Sequence, residues 1–151
     1  MQLTPHFTFD ELTRTNHSDL LKQNQEAAKK EMGRLYYLAG FAEAIRDIIG
    51  QPMVITSGYR CEELNKRVGG AVYSTHKLFE AIDFVPNNIS IEDAFIAIMY
   101  SNLEYGKLIL EKTKTSKWIH ASLGGNRDNL VYKDGRYITV HSIRDLQTLI
   151  K

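Results

Sequence analysis

The chain has five histidines, His6, His17, His76, His120 and His141, and two of them stand in company that could do chemistry. His76 lies in Ser74-Thr75-His76-Lys77-Leu78, a loop feeding the apolar run Ala81-Ile82-Asp83-Phe84-Val85. An aspartate inside so apolar a run is costly to bury unless a partner compensates its charge. An arginine, a set of backbone donors or a cation would each serve. On spacing alone, a His and an Asp seven positions apart favour the first two. His120 lies in Trp118-Ile119-His120-Ala121-Ser122, where the alternation of a strand puts Trp118, His120 and Ser122 on one face. With His120 the set becomes His/Asp/His. Three protein ligands leave a fourth tetrahedral position open for water, the catalytic rather than the structural pattern for zinc. The single cysteine, Cys61, excludes both a cysteine-rich metal site and an intramolecular disulfide.

The elements that must position these residues can be read from spacing. Thr8 is placed to cap a short helix over Asp10 and Glu11. The polar stretch Thr13 to Lys30 reads as a loop entering a helix. That helix runs to Ile49, with Leu38, Phe41, Ala42, Ile45, Ile48 and Ile49 on one face, and Gly50 stands where a left-handed cap would close it. Met53–Thr56 reads as a buried strand, Glu62–Val68 as a short helix, and Ala81–Val85 as a strand stopped by Pro86. Ser90 with Asp93 resembles a capping box opening another helix. Four strands follow: Lys107–Glu111, Lys117–Leu123, Asn129–Tyr132 and Tyr137–Val140. Asp134-Gly135 forms the turn between the last two, and Ser142–Ile150 is a capped terminal helix. The expected class is α+β, helices on a small, mostly antiparallel sheet.

The 151 residues, with 19 Lys+Arg against 18 Asp+Glu, predict one domain spanning 1–151 and no nucleic-acid partner bound by bulk charge. No stretch approaches the roughly 18 apolar residues of a membrane span, so no membrane partner is expected. Nor does MQLTPHFTFDELTRT show the basic and apolar regions of a signal peptide, which implies synthesis in the cytoplasm. A monomer is expected.

Ser74-x-His76 with Ala81-x-Asp83, followed by Trp118-x-His120-x-Ser122, resembles the D-alanyl-D-alanine carboxypeptidase-like zinc peptidases. These enzymes are common in bacteria and bacteriophages, and their metal-site fold is shared with Hedgehog domains. Thr56-Ser57-Gly58-Tyr59-Arg60, Leu64-Asn65, Val68-Gly69-Gly70 and the opening His6-Phe7-Thr8 with Glu11-Leu12 extend the likeness from about residue 3 to Arg127. The resemblance implies one zinc ion per chain, held by His76, Asp83 and His120. It implies that Arg60 binds a substrate carboxylate, for which a planar guanidinium is suited, and that Ser74 orients the site or only shapes its turn. Relatives with a Glu-x-x-His pattern carry the proton-transferring Glu three residues before the last ligand, but Lys117 stands there. Glu111, at the end of a strand whose hairpin returns beside it, is the alternative base, weighed against an ordinary hairpin glutamate.

Phe79 replaces the glycine that the family pattern has three residues after the first ligand, and is expected to narrow the pocket or reshape the loop. Cys61 is read as a small semi-buried residue, with no base to make it a nucleophile. The function implied is metal-assisted hydrolysis of a peptidoglycan stem peptide, at D-Ala-D-Ala or between L-Ala and D-Glu. Release of a phage protein to the wall, or carriage in a virion, would bring the enzyme to that substrate. A zinc-stabilised module that docks on the wall or builds a phage particle without turnover is the alternative, and a metal-free α+β domain a third reading.

Overall fold

The caps and periodicities named above become elements in the computed structural model, which describes residues 1–151. Thr8 caps α1 (Phe9–Leu12) through a reciprocal pair with Glu11. Helix α2 (Ser18–Lys29) occupies most of the stretch expected to be loop. Its buried residues are Leu20, Asn24 and Ala28, one per turn, so its inward stripe is too narrow and too polar to announce itself. Helix α3 (Met32–Ile49) buries Leu38, Phe41, Ala42, Ile45 and Ile49 and leaves Ile48 partly exposed. Gly50 follows at φ 66, its amide bonded to the Arg46 carbonyl.

Strand β1 (Met53–Ser57), helix α4 (Glu62–Arg67), a 3₁₀ turn (Thr75–Leu78) and strand β2 (Ala81–Pro86) come next. Helix α5 (Ile91–Met99) is capped by Ser90, whose hydroxyl accepts from the Asp93 amide. Strands β3 (Lys107–Lys112), β4 (Lys117–Ser122), β5 (Asp128–Lys133) and β6 (Arg136–Thr139) precede α6 (Ile143–Leu149). The six strands form one open sheet in the order β1-β2-β4-β3-β5-β6. The class is α+β, as expected.

The chain divides into two compact units, residues 1–44 with 55–83 and residues 45–54 with 84–151. In the first, Phe7, Leu12, Leu35, Leu38, Ile55 and Leu64 are fully buried, and α4 packs on α2 and on the 3₁₀ turn. In the second, α5 packs on β3 and β4 and α6 on β5, over Phe84, Phe95, Ile98, Leu110 and Ile119.

Strands β3 and β4 pair antiparallel, as do β5 and β6 around Asp134 (φ 53) and Gly135 (φ 78). By contrast β3 and β5 are parallel, with Lys107 opposite Asp128. Residues 123–127 therefore carry the chain from β4 across the entry of β3 to its other edge. The crossing needs bare backbone: a Cβ on Gly106 would lie 1.9 Å from the Gly124 carbonyl oxygen. It also explains why β4 stops at Ser122. Arg127 braces the far side, donating to the carbonyls of Met99 (3.0 Å), Ser101 (3.1 Å) and Leu103.

Candidate metal centre

The first candidate ligand is set by its backbone. Ser74 caps the 3₁₀ turn, its Oγ accepting from the His76 amide at 3.2 Å, which holds the imidazole at the start of the turn and buries it. His76 Nδ1 lies 2.7 Å from the Gly58 carbonyl oxygen. A carbonyl can only accept, so Nδ1 carries the proton and Nε2 is the end left for a ligand bond. Metal-bound histidines are oriented by this kind of second contact. Gly58 has to be glycine: a Cβ there would sit 2.4 Å from the Leu12 carbonyl oxygen.

Strand β2 presents the second candidate. Ile82 and Phe84 are fully buried on one face, and Asp83 points the other way with its side chain largely shielded. Its Oδ1 lies 3.3 Å from His76 Nε2. With the proton on Nδ1, that contact sets a nitrogen lone pair against a carboxylate oxygen. The arrangement is repulsive unless a cation lies between them or the imidazole takes a second proton. The third candidate, His120, stands on β4 with Trp118 and Ser122 on the same face.

His76, Asp83 and His120 come together: each offers one ligand atom, and these atoms all lie within 4.8 Å of one another. Two imidazole nitrogens and one carboxylate oxygen are a donor set that suits zinc, with room for a fourth ligand. The residues present therefore fit a divalent metal.

Arg60 reaches the same loop. Its amide donates to the His76 carbonyl at 3.1 Å and its Nη2 to Ser74 Oγ at 3.3 Å. Ser74 thus shapes the turn and also ties the guanidinium to it. The segment carrying Arg60 is fixed by a residue the sequence did not single out. Asn24 of α2, fully buried, donates to the carbonyls of Thr13 (3.0 Å) and Tyr59 (3.1 Å) and accepts from the Cys61 amide at 2.7 Å. An Asn in a polar stretch carries no signal of this; only the helical register reveals it. Cys61 itself is buried, in keeping with a packing role.

Glu111 ends up where a hairpin would bring it. It is the register partner of Trp118, and Ile109 that of His120, so Glu111 and His120 are diagonal neighbours on one face of the β3–β4 pair. Trp118 Nε1 donates to Glu111 Oε2 at 3.0 Å. Lys117, in the place of the relatives' glutamate, is exposed and bonded instead to Glu92 at 2.5 Å.

Phe79 stands in the left-handed conformation that glycine favours, and its ring is turned away onto Tyr59. It caps the 3₁₀ turn at φ 61, ψ 31, the left-handed region. Its ring is buried and turned onto Tyr59, stacked at 3.9 Å between centroids, with the Arg34 guanidinium 5.5 Å away. The side chain packs on Tyr59, whose phenol burial pushes above its usual value.

No curated protein matches the chain. Residues 5–122 match the family described as peptidase M15, a span that contains Arg60, Ser74, His76, Asp83, Glu111 and His120. The chain belongs to the peptidase M15 family, the D-alanyl-D-alanine carboxypeptidase-like zinc peptidases.

Proposed function

We propose that this protein is a zinc peptidase of peptidoglycan stem peptides, cutting at D-Ala-D-Ala or between L-Ala and D-Glu. The observation that carries the reading is the His76 imidazole, whose Nδ1 is committed to Gly58 and whose Nε2 is turned on Asp83, with His120 in reach. Zinc, when bound, supplies Lewis acidity toward a water and the scissile carbonyl. Glu111 takes the proton of the attacking water and returns it to the leaving amine, its orientation fixed by the Trp118 indole. Arg60 holds a carboxylate of the peptide, in a position set by Ser74 and by the backbone of His76.

The test is digestion of purified peptidoglycan with zinc-loaded protein, with and without chelator, read by mass spectrometry. Loss of D-Ala, or a new D-Glu amino terminus, abolished by the chelator, is the expected result and names the bond. Intact stem peptides from folded, zinc-replete protein would overturn the reading in favour of a wall-binding module.

A further inference from the structure

A cavity of about 420 Å³, none of whose walls comes from a metal-ligand candidate, opens between the ends of the two hairpins and the end of α6. Its apolar floor is lined by Leu110 and Val131, both buried, and by the half-buried Tyr132, Leu149 and Ile150. Around this floor stand Lys112, Lys114, Lys117 and Lys133, with Lys151 at the chain end. In a chain whose formal net charge is +1, that is a strong local excess.

Two acids share the cavity, Glu92 and Asp134. Glu92 is neutralised by Lys117 at 2.5 Å. Burial pushes the Glu92 carboxyl up, but the hydrogen bond from Lys117 and the charges of Lys117 and Lys112 outweigh it and hold the group below its usual value. Lys112, Lys114 and Lys133 enter no ion pair. Asp134 alone cannot balance them, so the rim is positive over an apolar floor.

We infer that this groove binds a single-chain amphiphilic anion, its alkyl or acyl chain on the Leu149–Ile150 floor and its phosphate or carboxylate head among the lysines. An ammonium is a mobile point charge with three donors, so several lysines can gather round such a head without a fixed fork geometry. The cavity volume lies within the range of about 300–1,000 Å³ in which small ligands are held. A bare phosphate would leave the floor unused, and an uncharged chain would leave the lysines unused. The inference does not rest on the peptidase reading.

The experiment is calorimetric titration of the full chain with decyl phosphate below its micelle concentration, beside inorganic phosphate and decyl maltoside. The same titrations are made on the Lys112→Gln/Lys133→Gln double variant, with unfolding midpoints of both proteins. Saturable binding of one decyl phosphate per chain is expected, weakened by added salt and by about tenfold in the double variant. Inorganic phosphate binding as tightly as decyl phosphate, decyl maltoside binding as tightly, or no saturable binding at all would each overturn it. Should the double variant unfold, the three ligands on the unaltered chain still decide.

Discussion

Trp118 and Glu111 face each other across β3 and β4, and the indole Nε1 donates to one carboxylate oxygen, Oε2, at 3.0 Å. Fixing one oxygen fixes the direction of the other, which is what a proton-transferring group needs. Trp118→Phe keeps an aromatic ring and removes the donor. Turnover is expected to fall about tenfold, the worth of a hydrogen bond to a charged acceptor, with KM and zinc content unchanged. Glu111→Gln is expected to keep the metal and lose turnover almost entirely. Full activity in Glu111→Gln would move the base elsewhere.

His76→Ala and Asp83→Asn each remove a member of the ligand group. Both variants are expected to retain less than one equivalent of zinc after dialysis and to lose the gain in melting temperature that zinc gives the unaltered chain. Elemental analysis and thermal melts read this directly, and metal content unchanged in both would remove the pair from the ligand set.

Asn24→Ala leaves a buried carbonyl or amide of Thr13, Tyr59 and Cys61 without its partner. A loss of about 2–4 kcal/mol is expected in denaturant unfolding, large for a residue on a polar helix far along the chain from every ligand. A change within experimental error would show that the knot around Arg60 is held by other contacts.

At residue 79 the usual order of helix-forming residues is expected to reverse. The φ of 61 suits glycine, whereas the stacked ring suits phenylalanine. Phe79→Gly loses the packing but relieves the backbone, while Phe79→Ala loses the packing and keeps the strain. Both variants are expected to be destabilised, with alanine the worse by about 1 kcal/mol. Unfolding free energies of the two variants, measured side by side, settle the order.

The acid side of stability is predicted by Glu43. Its carboxylate accepts from the His6 amide at 2.6 Å and lies 3.0 Å from His6 Nδ1. Burial pushes the carboxyl up, but the bonds from His6 and the His6 charge outweigh it, so the folded value lies below the ordinary carboxylate value. The folded state therefore binds this proton less tightly than the unfolded chain. Its stabilisation is fully present above the ordinary carboxylate value and is lost as the pH falls through the folded one. His6→Ala is expected to lose less stability than the unaltered chain as the pH falls from just above the ordinary carboxylate value through the folded value of Glu43. Parallel losses in the two proteins would contradict this.

Part of the site was legible because one residue breaks a local rule. Asp83 is a charge in an apolar strand, whereas the ligand set as a whole and the position of Phe79 were legible only through the family resemblance. The nearness of Glu111 to His120 was legible too, because it ends a strand whose hairpin returns beside it. Helix α2 and its Asn24 were not legible, because Leu20, Asn24 and Ala28 are the only buried residues of an otherwise polar segment, which reads equally well as loop. The parallel pairing of β3 with β5 was hidden too. Strand spacing along a chain does not say which edge a strand joins, and the signal lay in Gly106, Gly124 and Gly125, which read equally well as a loose loop.

The close seating of Gly58 on Leu12 has a practical side. The carbonyl that orients His76 belongs to a residue pressed on the last turn of α1, and the Tyr59 amide bonds to the same Leu12 carbonyl at 2.8 Å. Residues 123–151 supply β5, β6 and α6 but none of the ligand group. Fusions, affinity handles and surface immobilisation at the α6 end therefore spare the ligand group, though they border the groove lined by Leu149, Ile150 and Lys151. A clip or graft that frays α1 would be transmitted through two backbone contacts to the imidazole.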